Sequence, residues 1–445
     1  MSKAYDASRR HCNRERPSWK HGVVTGYGPD MLLGRRVHKG LVMTSELLGF
    51  IDTNRTRQER FLAELVRIPS DNPPGDLAGA AAKAATLLEG LGLKVESHPV
   101  PADLVKANGM ASAANLIVRR KFGPGPTVAL NAHGDVVPPG EGWTRDPYGA
   151  EVDDGWMYGR GAAVSKSDFA TFAFALMALE TIKPTRGTVE LHFTYDEEVG
   201  GEIGPGHLLK AGLSKPDMVI CAGFSYAVVA AHNGCLHLEV TLRGRSAHAA
   251  SPSTGIDALE AASQVLSALY AWRKGLASRV SKTPGIGAAQ LTVGLIKGGI
   301  NTNVVPDAVT LRLDRRMIPE ESPADVEAEL RDIIAKAVTV PGAAVEIRRV
   351  LLARPLTASD ASRRMAETLA RRATEILGET IQVTGVPLYT DARHYAEQGI
   401  PTILYGAGPR TILEANAHRA DERVKLDDVN AATKVIALTL KDLLS

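Results

Sequence analysis

Between about His232 and Val350 the chain carries six segments in a fixed order: strand, helix, strand, strand, helix, strand. "HLEVTLRG" alternates apolar and polar residues, and "DALEAASQVLSALYAW" repeats its apolar residues at a helical period. "AAQLTVGLI" and "AVTLRLDRR" are two further strands, "PADVEAELRDIIAKAV" a second helix and "AVEIRRVL" a last strand. That order is a ferredoxin-like split βαβ unit. It interrupts a different rhythm, in which "NLIVRR", "TVALNAH", "VELHFTYD" and "DMVICAG" read as buried strands and "FATFAFALMALETI" as a helix. After the interruption come a helix, "SRRMAETLARRATEIL", a strand, "TILYGAG", and a closing helix, "DDVNAATKVIALTLKDLL". The simplest architecture is a discontinuous α/β domain over 44–231 and 351–445, with a smaller α+β domain inserted at 232–350. In the first part, Leu47 through Val66 follow one helical period until "RIPSDNPPG" stops it.

The first 42 residues differ, with nine Lys/Arg against three acidic residues and no helical or strand period. Residues 1–43 are expected to form a basic N-terminal extension, suited to wrapping another subunit. Elsewhere the charges balance: 52 Lys+Arg against 50 Asp+Glu, a formal net charge of +2. That excludes a default nucleic-acid binder, and 44% apolar residues exclude a disordered chain. Cys12, Cys221 and Cys235 form no C-x-x-C pair, which fits thiols in a reducing compartment. No signal peptide and no spanning apolar run is evident, so a cytoplasmic protein without membrane or nucleic-acid partners is expected.

Four segments carry chemistry, all at strand ends or in loops. His133 and Asp135 follow a strand one residue apart, where a carboxylate can hold one imidazole nitrogen while the other binds a metal. Asp196, Glu197 and Glu198 end another strand before Gly200 and Gly201. Three adjacent carboxylates repel unless a cation or proton is present. Glu197 and Glu198 point opposite ways, so one can bind metal while the other acts as base. His248 lies in "RGRSAHAASP" beside Arg245, and His418 in "LEANAHRADE" near Glu422. Either histidine alone reads as an ordinary surface residue.

Together the segments are specific. From about Ser45 to the C-terminus the chain resembles the M20 family of metallopeptidases and amidohydrolases, on "SDNPPG", "HGDVVP", "GRGA…K", "DEEVGG", "G-x-x-AH", "GGINTNVVPD", "D-x-R" at Asp314–Arg316, "TDAR" at Thr390–Arg393 and "AH-x-x-DE". The resemblance implies a zinc-peptidase-like catalytic domain whose inserted α+β domain serves as lid and dimerisation surface. It implies metal ligands at His133, Glu198 and His418, with Asp135 holding His133 and Glu197 as general base toward the attacking water. His248 matches a lid histidine that reaches the neighbouring subunit's site to stabilise the developing oxyanion. Asn303 and Arg316 match residues that hold substrate, and Arg245 and Arg393 join them as candidates.

Two departures stand against these matches. The family reads "GRGA-x-D-x-K", with an Asp bridging two ions, and here Val164 stands in its place. A later Glu or Asp ligand is replaced by Gly223, followed by Phe224. Two ions held close together need a shared anion, so one labile divalent ion, Mn²⁺ or Zn²⁺, is expected. Asp168, Ser165 and His232 are the candidates to replace a lost ligand. A substrate that chelates the ion would complete the site, which favours an aromatic carboxylate bearing an amine. The expected activity is C–N hydrolysis in a homodimer or higher oligomer. The favoured reaction is hydrolytic deamination of the 5-nitroanthranilate to 5-nitrosalicylate type. N-acyl-amino-acid deacylation or dipeptide cleavage is the alternative, and a non-catalytic binding protein a further one.

Overall fold

The computed structural model describes residues 42–445; the basic segment expected at 1–43 lies, apart from its last two residues, outside them, as does Cys12. The single helical period through Leu47–Val66 is broken at Asn54, and a new helix runs over Arg55–Val66. Asn54 donates its side-chain amide to Phe50 O at 2.9 Å, a local bond that competes with continuing the helix.

The main sheet has eight strands, in the spatial order Val95–Pro99, Ala114–Lys121, Thr188–Thr194, Thr127–His133, Met218–Cys221, Thr402–Leu404, Ala227–His232 and Gln382–Val386. Its centre is parallel: Thr127–His133 pairs with Thr188–Thr194 and Met218–Cys221, and Thr402–Leu404 continues in the same sense. Register places His133 opposite Thr194, and Leu404 opposite Cys221. The loops that follow these four strands therefore open at one edge, where open α/β sheets bind ligands.

The helix Ser167–Thr181 is buried along nearly its whole length and packs against Leu426–Leu443. Against the expectation of no spanning apolar run, Ala162–Thr181 is long and apolar enough to cross a membrane by length and composition. The segment is 94% buried inside the protein, as expected of a central core helix.

Between Gly234 and Ala353 the chain forms an antiparallel four-stranded sheet, in the order Gln290–Gly298, Ala308–Met317, Gly234–Arg243, Ala344–Ala353. Helices Ala258–Arg273 and Pro323–Ala337 cover one face, capped by Asp257 and Ser322. Leu236, Leu238, Val240, Leu242, Leu311 and Leu313 point into that core, and the alternate residues point away from it. Two chain crossings join this sheet to the main one. They are paired at His232 and Leu356, whose backbone groups exchange hydrogen bonds of 3.2 and 3.1 Å.

Candidate metal-dependent active site

At the edge where the parallel strands end lies a cavity of about 430 Å³, lined by His133, Val164, Asp168, Glu197, Glu198, Gly223, Phe224, Arg316, Tyr389, Asp391 and His418 among others. Asp135 organises it from behind. It is fully buried and accepts hydrogen bonds from Asn72 Nδ2 (2.9 Å) and from the backbone amides of Glu197 (3.2 Å) and Glu198 (3.1 Å). The turn carrying both glutamates is thereby pinned to the strand end carrying His133. His133 Nδ1 lies 2.9 Å from Asp135 O and 3.4 Å from Asp135 Oδ1, which leaves Nε2 as the ring's ligand atom. Gly201 (φ 72°) lets the turn close, because a Cβ there would strike the Asp391 carboxylate.

His418 comes from the loop after Thr402–Leu404. It adopts φ 61°, and Asn416 and Asp421 are also left-handed, a costly conformation for residues other than glycine. The loop is held by Glu422, which is buried, pairs with Arg160 at 2.6 Å and accepts from the amides of Ala163 (3.1 Å) and Val164 (3.2 Å). The result brings His418 Nε2 to 3.3 Å from Glu198 Oε1.

These donors fit a divalent ion. Glu198 Oε1 is buried and, apart from the 3.3 Å approach of His418 Nε2, has no polar partner among the described residues, which leaves it open to a cation. One donor atom each from His133, Glu197 and Glu198 lies within 4.8 Å of the others. Burial pushes Glu197 up to about 7, reinforced by Glu198 and Asp135 against the pull of His133. Burial opposes charge on His133, but the Asp135 hydrogen bond and the surrounding carboxylates outweigh it and push its pKa well up. A hydrogen bond with Glu198 likewise raises His418.

Of the candidate replacement ligands, Ser165 and Asp168 line the cavity and His232 does not. Ser165 Oγ is 3.1 Å from both the amide and the carbonyl of His133. His232 is buried at the crossing between the sheets, with Nδ1 2.9 Å from Asn233 O. Asp168 lines the cavity but is outside the donor cluster; it accepts from the Ala407 amide at 2.7 Å, and burial pushes it up to about 8.

Of the expected substrate residues, Arg316 lines the cavity. Asp314 orients it through Nε (2.9 and 3.2 Å) and Nη2 (3.1 Å), and it lies over the Tyr389 ring. Arg393 does not line the cavity: it is 2% exposed and donates to Gly200 O, bracing the glutamate turn. His248, Arg245 and Asn303 are exposed and do not line the same chain's cavity. Asn72, Tyr389 and Asp391 were not singled out from the sequence, although Asn72 sits in "SDNPPG" and Asp391 in "TDAR"; those two motifs were the available signals.

An α/β fold of two sheets, with His133, Glu197, Glu198 and His418 lining one cavity at the edge of the larger sheet, is the arrangement of a metal-dependent hydrolase. Residues 129–442 match the model of peptidase family M20/M25/M40, and the chain belongs to that family. It is 26% identical over 335 residues to the succinyl-diaminopimelate desuccinylase of Wolinella succinogenes, covering 72% of this chain and 86% of the relative. It is 32% identical over 251 residues to the acetylornithine deacetylase of Pectobacterium atrosepticum, covering 55% and 62% respectively. Among solved structures, an M20 family metallo-carboxypeptidase of Sulfolobus solfataricus superposes with a TM-score of 0.69 at 19% identity, covering 86% of this chain and 98% of that one. A Bacillus subtilis peptidase described as dinuclear metal binding gives 0.64 at 18% identity, covering 88% and 99%.

Proposed function

We propose that this family member hydrolyses a C–N bond in a small carboxylate-bearing compound with an apolar, ring-sized body, using one labile divalent ion. The observation that carries this is the cavity wall. Val164, Gly223 and Phe224 line it where carboxylates would hold and bridge a second ion, and Leu388, Tyr389 and Leu404 extend the apolar surface. His133, Glu198 and His418 would hold the ion, which when bound supplies Lewis acidity at the scissile group and makes water a better nucleophile. Glu197, raised toward neutrality, takes the proton from water and passes it to the leaving nitrogen. Arg316 spends Nε and Nη2 on Asp314, leaving Nη1 for a substrate carboxylate.

Amide cleavage of an N-acylated amino acid is the leading form, supported by the desuccinylase and deacetylase names of the relatives. Removal of an aryl amine, of the 5-nitroanthranilate type, is the second reading. It is favoured by the apolar wall, because charge delocalised into a ring needs no second ion. The test is turnover of N-acetyl and N-succinyl amino acids, N-acylated aromatic amino acids and 5-nitroanthranilate by Mn²⁺- or Zn²⁺-loaded protein, with metal counted per protomer. Cleavage of an aromatic member with one ion per protomer is expected. Activity confined to polar aliphatic amides with two ions would overturn the proposal.

A further inference from the structure

The open face of the four-stranded sheet carries a second cluster of donors. Alternation along Gly234–Arg243 sends Leu236 and Leu238 into the core and Cys235 and His237 to the opposite face. Across the antiparallel ladder, His237 is opposite Asp314, and Cys235 is opposite Arg316. Cys235 Sγ donates to Asp314 Oδ1 at 3.5 Å, and His237 Nε2 lies 3.4 Å from Asp314 Oδ2. One donor atom from each of the three residues lies within 4.8 Å of the others.

Cys235 and His237 each stand at a ligand-to-ligand distance from Asp314, though from different oxygens of it, and the three donors lie close enough to draw in around a tetrahedral ion. With Zn–S near 2.3 Å and Zn–N or Zn–O near 2.0 Å, neighbouring ligand atoms stand about 3.3–3.5 Å apart. Sulfur, nitrogen and oxygen donors are all present, and each sits on a hydrogen-bonded strand rather than a loop, so little reorganisation is needed. The side chains of His237 and Asp314 are 34% and 31% exposed, which leaves a path for the ion and room for a fourth ligand.

We propose that Cys235, His237 and Asp314 form a second divalent-metal site, suited to a thiolate-accepting ion such as zinc. As the sulfur–metal bond forms, the thiol proton passes to solvent, so no oxidant is required. Asp314 is also the carboxylate that orients Arg316. An ion that takes one of its oxygens leaves the guanidinium only the other. Occupancy therefore loosens a residue lining the catalytic cavity, whichever C–N bond that cavity cleaves.

Cobalt(II) is the probe, titrated into the full chain and followed by its thiolate charge-transfer absorption together with bound metal per protomer. The wild type should show the thiolate band. Cys235→Ser should remove it and lower cobalt by one per protomer, and His237→Gln should weaken its appearance at least tenfold. Glu198→Gln and Cys221→Ser should retain it; Cys221 is the control because it lines the main cavity. Should Cys235→Ser fail to fold, the His237→Gln titration decides alone. Absence of the band in the wild type, or its loss in Cys221→Ser or Cys12→Ser instead, would overturn the site.

Discussion

Val164 and Gly223, the two positions at which the proposed function has a carboxylate lost, differ in physical kind. Val164 has its side chain on the cavity and its amide bound to Glu422, so an Asp in its place would keep the backbone and regain a ligand. Gly223 has been built into: a Cβ there would come within 2.9 Å of both Leu404 Cβ and Tyr405 N. Val164→Asp is therefore expected to raise resting divalent-metal occupancy in equilibrium dialysis. Gly223→Glu should instead lower stability by about 1–3 kcal/mol, the usual cost of overpacking. Equal metal gain in both variants, with no loss of Tm in the second, would refute the distinction. Glu197→Gln should retain the metal and lose roughly 10²–10⁴-fold in rate, and near-unchanged turnover would remove Glu197 from the chemistry. At this scale the sequence was readable where a residue type and its spacing carry the chemistry, as at His133, Glu198 and His418. It was silent on Tyr389 and on the bracing position of Arg393, which depend on how distant loops meet.

The two chain crossings between the sheets are paired at His232 and Leu356. Burial, with the Arg393 charge nearby, pushes His232 down to about 4. An unfolded chain takes up that proton from about pH 6.5 downward. Stability due to the neutral ring is thus intact above pH 6.5 and lost as pH falls toward 4, by about 3 kcal/mol in all. The wild type should lose more Tm than His232→Gln between pH 7 and 4.5; parallel slopes would exclude His232 as the titrating group. His248 is exposed and does not line the cavity of its own chain, and the expectation from the family resemblance is that it serves a neighbouring subunit. Mixing inactive His248→Ala with inactive Glu197→Gln subunits should then restore part of the activity, and no recovery after proven subunit exchange counts against sharing. Element order was legible in the smaller domain because its strands alternate cleanly. Ala227–His232 is short and follows "DMVICAG" closely, so "AVVAA" does not stand out in the sequence as a strand of its own. Gln382–Val386 lies at the sheet's edge beside it, with few fully buried residues to mark it as a strand.

At the scale of the whole molecule, the proposed function, with a sparse donor set in an apolar cavity, makes metal and substrate depend on each other. If a chelating compound adds ligands, each must raise the other's affinity by the same factor. Calorimetry of Mn²⁺ binding, with and without 2-aminobenzoate, should show at least tenfold tightening, mirrored when the titration is reversed. Two tightly bound ions per protomer without any ligand would return the chain to the dinuclear pattern. The core helix Ser167–Thr181 has a consequence of another kind. During vectorial synthesis it leaves the ribosome long before Leu426–Leu443, the helix that packs against it. Until then an apolar helix lacks its main covering partner, so the incomplete chain exposes surface of the kind that makes partly folded proteins prone to association.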